Sequence, residues 1–145
     1  MATGFDQLGQ NPGLQTHWLH RLLAALIDVV LVFVPIYIVM LIFSLTQGLH
    51  WFMFGVIMGF FWMLYSAVFE EAKGATIGKQ LFGLKVISLD GNIQTYQSMM
   101  RNLTKIFGGF LLIDVLLGLV VDTTDARQKY TDRIARTTVV SERNI

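Results

Sequence analysis

The chain has 145 residues, of which 54% are hydrophobic and 14% charged, with a net charge of +1 and no cysteine. That charged share is about half of what soluble domains carry, too little to cover such a surface, so lipid must be part of the solvent. The near-neutral balance excludes the basic field of a nucleic-acid binder, and the lack of cysteine excludes disulfides, thiolate metal sites and thiol nucleophiles.

Residues 1–17, with Gly4, Gly9, Asn11, Pro12 and Gly13, are expected as a mobile polar tail. The apolar stretch after it exceeds the roughly 7–15 residues of a signal core, and no small-x-small cleavage site follows. It reads as a retained anchor. Residues 22–45 and 49–69 each reach the about 20 apolar residues a helix needs to cross hydrocarbon. The link between them, "SLTQGLH", holds no lysine or arginine and is short enough to make the two helices antiparallel neighbours.

Residues 70–102 read as a folded cytoplasmic region. "TIGKQLFGL" suggests a short amphipathic helix at the surface. "KVISLDGNIQTY" alternates apolar residues around Asp90 and Gly91, a dipeptide that favours a two-stranded hairpin. "TTVV" near the C-terminus is a further strand candidate, and its pairing with residues 85–89 would tie the tail to this region.

The third apolar stretch, 104–121, is short for a core of roughly 30 Å. Five lysines and arginines lie in residues 70–105 and five more after residue 121, while the 44–50 link has none. A full crossing would put the second group outside, against the tendency of basic residues to stay cytoplasmic. A re-entrant dip turning at Gly108 and Gly109 keeps every one inside, and buried irregular backbone is allowed there. The re-entrant form is favoured and the spanning form stays open. A C-terminal block, 125–140, and a tail, 141–145, complete the chain. The expected fold is an all-α membrane protein: two transmembrane helices, a short third membrane segment, and a small cytoplasmic region of β-hairpin and amphipathic helix.

Arg21 and Asp28 are seven residues apart, so they share one face of the first helix, about 10 Å apart along its axis. Ala25 lies between them, and His17, Val32 and Pro35 extend the same seam, which the small residue marks as protein-facing. Arginine near a helix end turns outwards, so a direct bond between the two is not expected. A carboxylate at Asp28 costs about 2.5–3.5 kcal/mol in mid-membrane unless something offsets it. It is either a polar clamp or a site for a cation or proton. Asp114 is the second such candidate. Gly55 and Gly59 form a GxxxG face expected to pack on the first helix, and Glu70 and Glu71 are expected to be solvated. "GATIGKQ" lacks the spacing and hydroxyl of a phosphate loop. No nucleophile–base set or metal-ligand cluster stands out, so no enzyme activity, cofactor or metal is expected.

"RLLAALIDVV", "GATIGKQLFGLKVISLDG", "MMRNLTKI" and "ARQKYTDRIARTTVV" together resemble the RDD family of small membrane proteins, over residues 18–140. Arg21, Asp28 and Asp132 match the arginine and two aspartates of its name. Tyr130 and Thr131 precede Asp132 where the family often has histidine, and Arg136 stands where glycine is common. The resemblance implies transport of an unidentified ligand, with sodium–proton exchange reported for some members, and Asp28 would serve as the site. It also suggests that Arg21 and Asp132 pair across segments. The leading expectation is therefore transport of Na⁺ or H⁺ by an oligomer. The alternative, which the folded cytoplasmic region and the lack of a full polar pathway support, is a non-catalytic membrane interaction or assembly module. The partners would be the lipid bilayer, further copies or other membrane proteins, and no nucleic acid. The expected location is multi-pass in a cell membrane of the prokaryotic inner-membrane type, N-terminus cytoplasmic.

Overall fold

The computed structural model describes residues 3–142, so most of the 141–145 tail lies outside the described residues. Residues expected as a mobile tail are helical. Thr3 and Asp6 form a reciprocal capping box that starts α1 (Gly4–Gln10), and Asn11 with Pro12 starts α2 (Pro12–Ile42). Two cap motifs in succession outweigh the glycines. Gly4 also sits against the Leu119 backbone, which gives α1 a tertiary partner.

α2 runs unbroken through Pro35, and α3 spans Trp51–Lys73. Both are long and apolar enough to cross a membrane. They are antiparallel: Tyr37 meets Phe54 near the linking turn, and Asp28 meets Tyr65 nearer the other end. Gly74, at φ +73°, ends α3 with a left-handed cap. α4 (Ile77–Leu81) follows at once, capped by Thr76, and lies against α2.

β1 (Leu84–Ser88) pairs with β2 (Thr137–Ser141) in an antiparallel two-stranded sheet. The strand pair is therefore the long-range one. Beyond Asp90 and Gly91 the local hairpin reduces to a single bridge between Ser88 and Gly91, and the chain turns into α5 (Thr95–Asn102). The distant strand wins because it sets Val139 opposite Val86, closing an apolar core with Leu84, Phe82 and Ile93.

α5, a 3₁₀ turn (Leu103–Lys105) and α6 (Gly108–Val120) form one bent segment, its two halves at 109°. It starts beside the C-terminal end of α3, where Thr95 Oγ1 donates to Glu71 at 2.7 Å. It passes Ser66 and Gly59 and reaches Phe52 with the Phe107 ring. α6 then comes back, setting Gly118 against Lys129 and Leu119 against Gly4. Both ends of the segment thus meet the same end of the α2–α3 pair. The bend falls at Ile106 and Phe107, not at Gly108 and Gly109, which lie in the first turn of α6 facing open space. Neither glycine has positive φ, and close packing of Ile106 on Gly59 fixes the bend instead. α7 (Tyr130–Ile134) leads through Arg136 into β2.

Three expected packing contacts are relocated. Gly55 faces open space. A Cβ on Gly59 would collide with the Ile106 carbonyl, so Gly59 receives the bent segment rather than α2. On α2 the close approach belongs to Ala24, fully buried with its carbonyl against Gly78, whereas Ala25 is half-buried.

Candidate functional site

Asp28 is 1% exposed and fully occupied by neutral donors. Its Oδ1 accepts from the Tyr65 hydroxyl at 3.0 Å and the Gly78 N–H at 2.9 Å, and its Oδ2 accepts from Thr76 Oγ1 at 2.5 Å. Thr76 caps α4 and Gly78 is in its first turn, so Asp28 holds the start of that helix against α2. Only glycine at position 78 lets the α4 backbone come this close. Among the described residues Asp28 makes no ion pair.

Arg21, seven residues away, points elsewhere. Its Nη2 donates to Asp132 Oδ2 at 3.0 Å, its guanidinium also reaches the Arg127 carbonyl, and it lies over the Trp18 ring. Asp132 Oδ1 is 3.1 Å from Arg101 Nη2, and Arg101 Nε is 3.3 Å from Glu70 Oε2. Glu70 accepts from Lys79 Nζ and from Asn102 Nδ2. The result is a buried ladder, Arg21–Asp132–Arg101–Glu70–Lys79, that joins α2, α7, α5, α3 and α4. Burial alone would raise the Asp132 carboxyl, but Arg101 and Arg21 overcome it and hold it at about 2. Burial pushes the Lys79 ammonium down to about 8 against the pull of Glu70.

Asp114 forms a second cluster. Lys129 Nζ contacts its Oδ2 at 2.6 Å, the Thr131 N–H donates to Oδ1 at 2.7 Å, and Thr131 and Thr104 hydroxyls donate to Oδ2. Asp114 is 3% exposed, because α7 lies over it. Lys105 is different: its Nζ donates to Ser66 at 2.6 Å and lies over the Trp62 ring, with no carboxylate beside it among the described residues. Among the described residues the interior therefore holds four buried carboxylates, Asp28, Glu70, Asp114 and Asp132, with Lys79, Arg101, Lys105, Lys129 and the nearly buried Arg21.

Of the residues singled out in the sequence, the structure joins Arg21 to Asp132 and keeps Asp28 and Asp114 in separate clusters. It also adds residues the sequence did not flag. Glu70, expected at the surface, is fully buried. Gly59, Met63, Ser66 and Glu70 recur at helical spacing on one buried face, and extending that stripe by one turn would have found it. Arg101 and Lys129 lie in polar stretches with no such stripe to mark them. Arg136 meets Asp90, with Nη2 2.9 Å from Oδ1 at the surface.

The geometry is that of a lock more than of an open path: each carboxylate of the ladder and of the Asp114 cluster faces a cation, and Asp28 is saturated by donors. A sequence model of the RDD family matches residues 16–136 of the chain. No curated protein and no solved structure matches it.

Proposed function

The chain belongs to the RDD family, membrane proteins of no known enzymatic type, and from that premise we propose that it is a non-catalytic membrane interaction and assembly module. The ladder Arg21–Asp132–Arg101–Glu70–Lys79 carries this reading. It clamps a folded unit, built from α4, α7 and the β1–β2 sheet, against the helix pair. Removing one member of a buried pair is costly because its partner is left charged and unpaired, so the unit is held in one pose for a membrane partner or a further copy. The end bearing the ladder also carries the basic residues, which on the positive-inside tendency supports a cytoplasmic side for it and for the N-terminus, in a cell membrane. The test is flux. The purified chain in proteoliposomes is expected to move no protons in response to a Na⁺ gradient, while Asp132→Asn loosens residues 122–142 in hydrogen exchange. Na⁺-driven proton movement that Asp28→Asn abolishes would overturn the module.

One observation favours a second reading, cation or proton exchange by an oligomer. Among the described residues Asp28 makes no ion pair, and the buried Lys105 amine bonds Ser66 instead of a carboxylate. A buried carboxylate with no fixed cation is what a site exchanging Na⁺ for H⁺ would need. In the same vesicles it requires flux lost in Asp28→Asn and retained in Asp114→Asn.

A further inference from the structure

Residues 95–121 are amphipathic the wrong way round for a segment in water. In α5 the polar residues Gln97, Ser98, Arg101 and Asn102 are all buried, while Tyr96, Met99, Met100 and the adjoining Leu103 are 42% to 57% exposed. A helix resting on a water-facing surface shows the opposite arrangement. α6 continues the pattern, with Phe110, Leu112, Ile113 and Leu116 outward and Asp114 inward. The three charged residues of the stretch, Arg101, Lys105 and Asp114, are buried, and the exposed positions from 96 to 121 carry no charge.

What covers that face follows from its chemistry. After Thr95 and Tyr96 at its start, the outward side chains of α5 and α6 have no hydrogen-bonding group, whereas protein interfaces carry about one hydrogen bond per 100–200 Å². Tyr96 follows Thr95, which meets Glu71 at the start of α5, and an amphipathic ring at that end belongs at a headgroup boundary. α5 also lies along α3, whose own outward Phe60, Phe61 and Val68 belong to a helix fit to cross a membrane. A cavity of about 430 Å³ among Leu103, Phe107, Phe110, Ile113 and Leu117 interrupts the same face.

We propose that α5 is immersed in the hydrocarbon of the bilayer together with α6, and that lipid acyl chains cover its outer face and fill this cavity. The third membrane segment then starts at Thr95, ahead of the apolar stretch at 104–121. The region expected as cytoplasmic ends at Gln94 instead of continuing to 102. Arg101 and Lys105 become intramembrane cations turned towards protein, which is where the ion ladder and Ser66 meet them. This holds whether the chain is a module or an exchanger.

The chain has no native cysteine, so single cysteines can be placed at Met99, Met100 and Leu103 and spin-labelled in the full chain in liposomes. Val30 on α2 serves as the lipid reference and Arg136 as the water reference. Labels at all three sites are expected to be relaxed by oxygen and not by an aqueous nickel chelate, as at Val30. Relaxation by the chelate, as at Arg136, places α5 in water and overturns the proposal. Shielding from both, or broadening between copies, puts protein on the face and overturns lipid as its cover. Leu103→Lys gives a label-free reading. A loss of folded, membrane-inserted chain supports immersion, and full retention contradicts it.

Discussion

At the scale of single residues, the decisive feature is how each buried charge is matched. Asp132 faces both Arg21 and Arg101, so Asp132→Asn leaves two arginines short of a carboxylate and should cost about 3–5 kcal/mol, read as a lower unfolding midpoint in detergent. Acid should act on the same residue. Its folded value of about 2 lies below the ordinary 3.8, so its contribution is complete above about pH 4 and is lost as the pH falls towards 2. Acid unfolding of wild type should steepen in that window, and Asp132→Asn should flatten it. Asp28 is held by donors rather than cations, so Tyr65→Phe and Thr76→Val should each lower stability by about 0.5–3 kcal/mol, read as a lower unfolding midpoint. Arg21 and Asp28 were legible because their spacing and setting are unusual, and Asp132 only through the resemblance to the family. Glu70 was not, because a carboxylate at the last turn of an apolar helix usually points to water, and only α5 and α4 packing over it turn it inward.

At the scale of elements, caps and glycines explain where the chain turns. Arg136 has φ +53°, the left-handed conformation that glycine takes without penalty. Its exposed pair with Asp90 offsets little. Arg136→Gly should therefore stabilise the protein, by up to about 1 kcal/mol, measured as a raised unfolding temperature. Gly78→Ala should do the reverse, since a Cβ there strikes the Ala24 carbonyl and crowds Asp28. It should lower the unfolding temperature and expose the start of α4 to hydrogen exchange. The two long helices and the strand at 137–140 were legible from hydropathy and alternation. The fate of the hairpin was not, since Asp90 and Gly91 do make a turn and only the Val86–Val139 contact, set by tertiary folding, decides the partner. The GxxxG face was half legible: Gly59 does admit a backbone, but which one depends on where the third segment bends.

At the scale of the whole molecule, the β1–β2 pair settles which regions share a side. Residues 84–88 and 137–141 are hydrogen-bonded neighbours, so a membrane cannot lie between them. Single cysteines at Ser88 and Ser141 should behave alike towards an impermeant thiol reagent, and opposite to one at Ser44 in the linking turn. Labelling of Ser88 and Ser141 from different sides would contradict the sheet. Topology was legible in part, because the distribution of lysine and arginine pointed to a segment that dips and returns. Its proposed start at Thr95 was not, since hydropathy averages the buried Arg101 and Lys105 together with the outward methionines. The ladder also has a consequence for how the protein is made. Arg21 leaves the ribosome 111 residues before its carboxylate, Asp132. While that stretch is made, α2 carries an unmatched arginine and β1 waits for β2. Asp132 and β2 follow closely in the chain, so the ladder and the sheet close together. A nascent chain that stops short of α7 presents bare charge at the membrane.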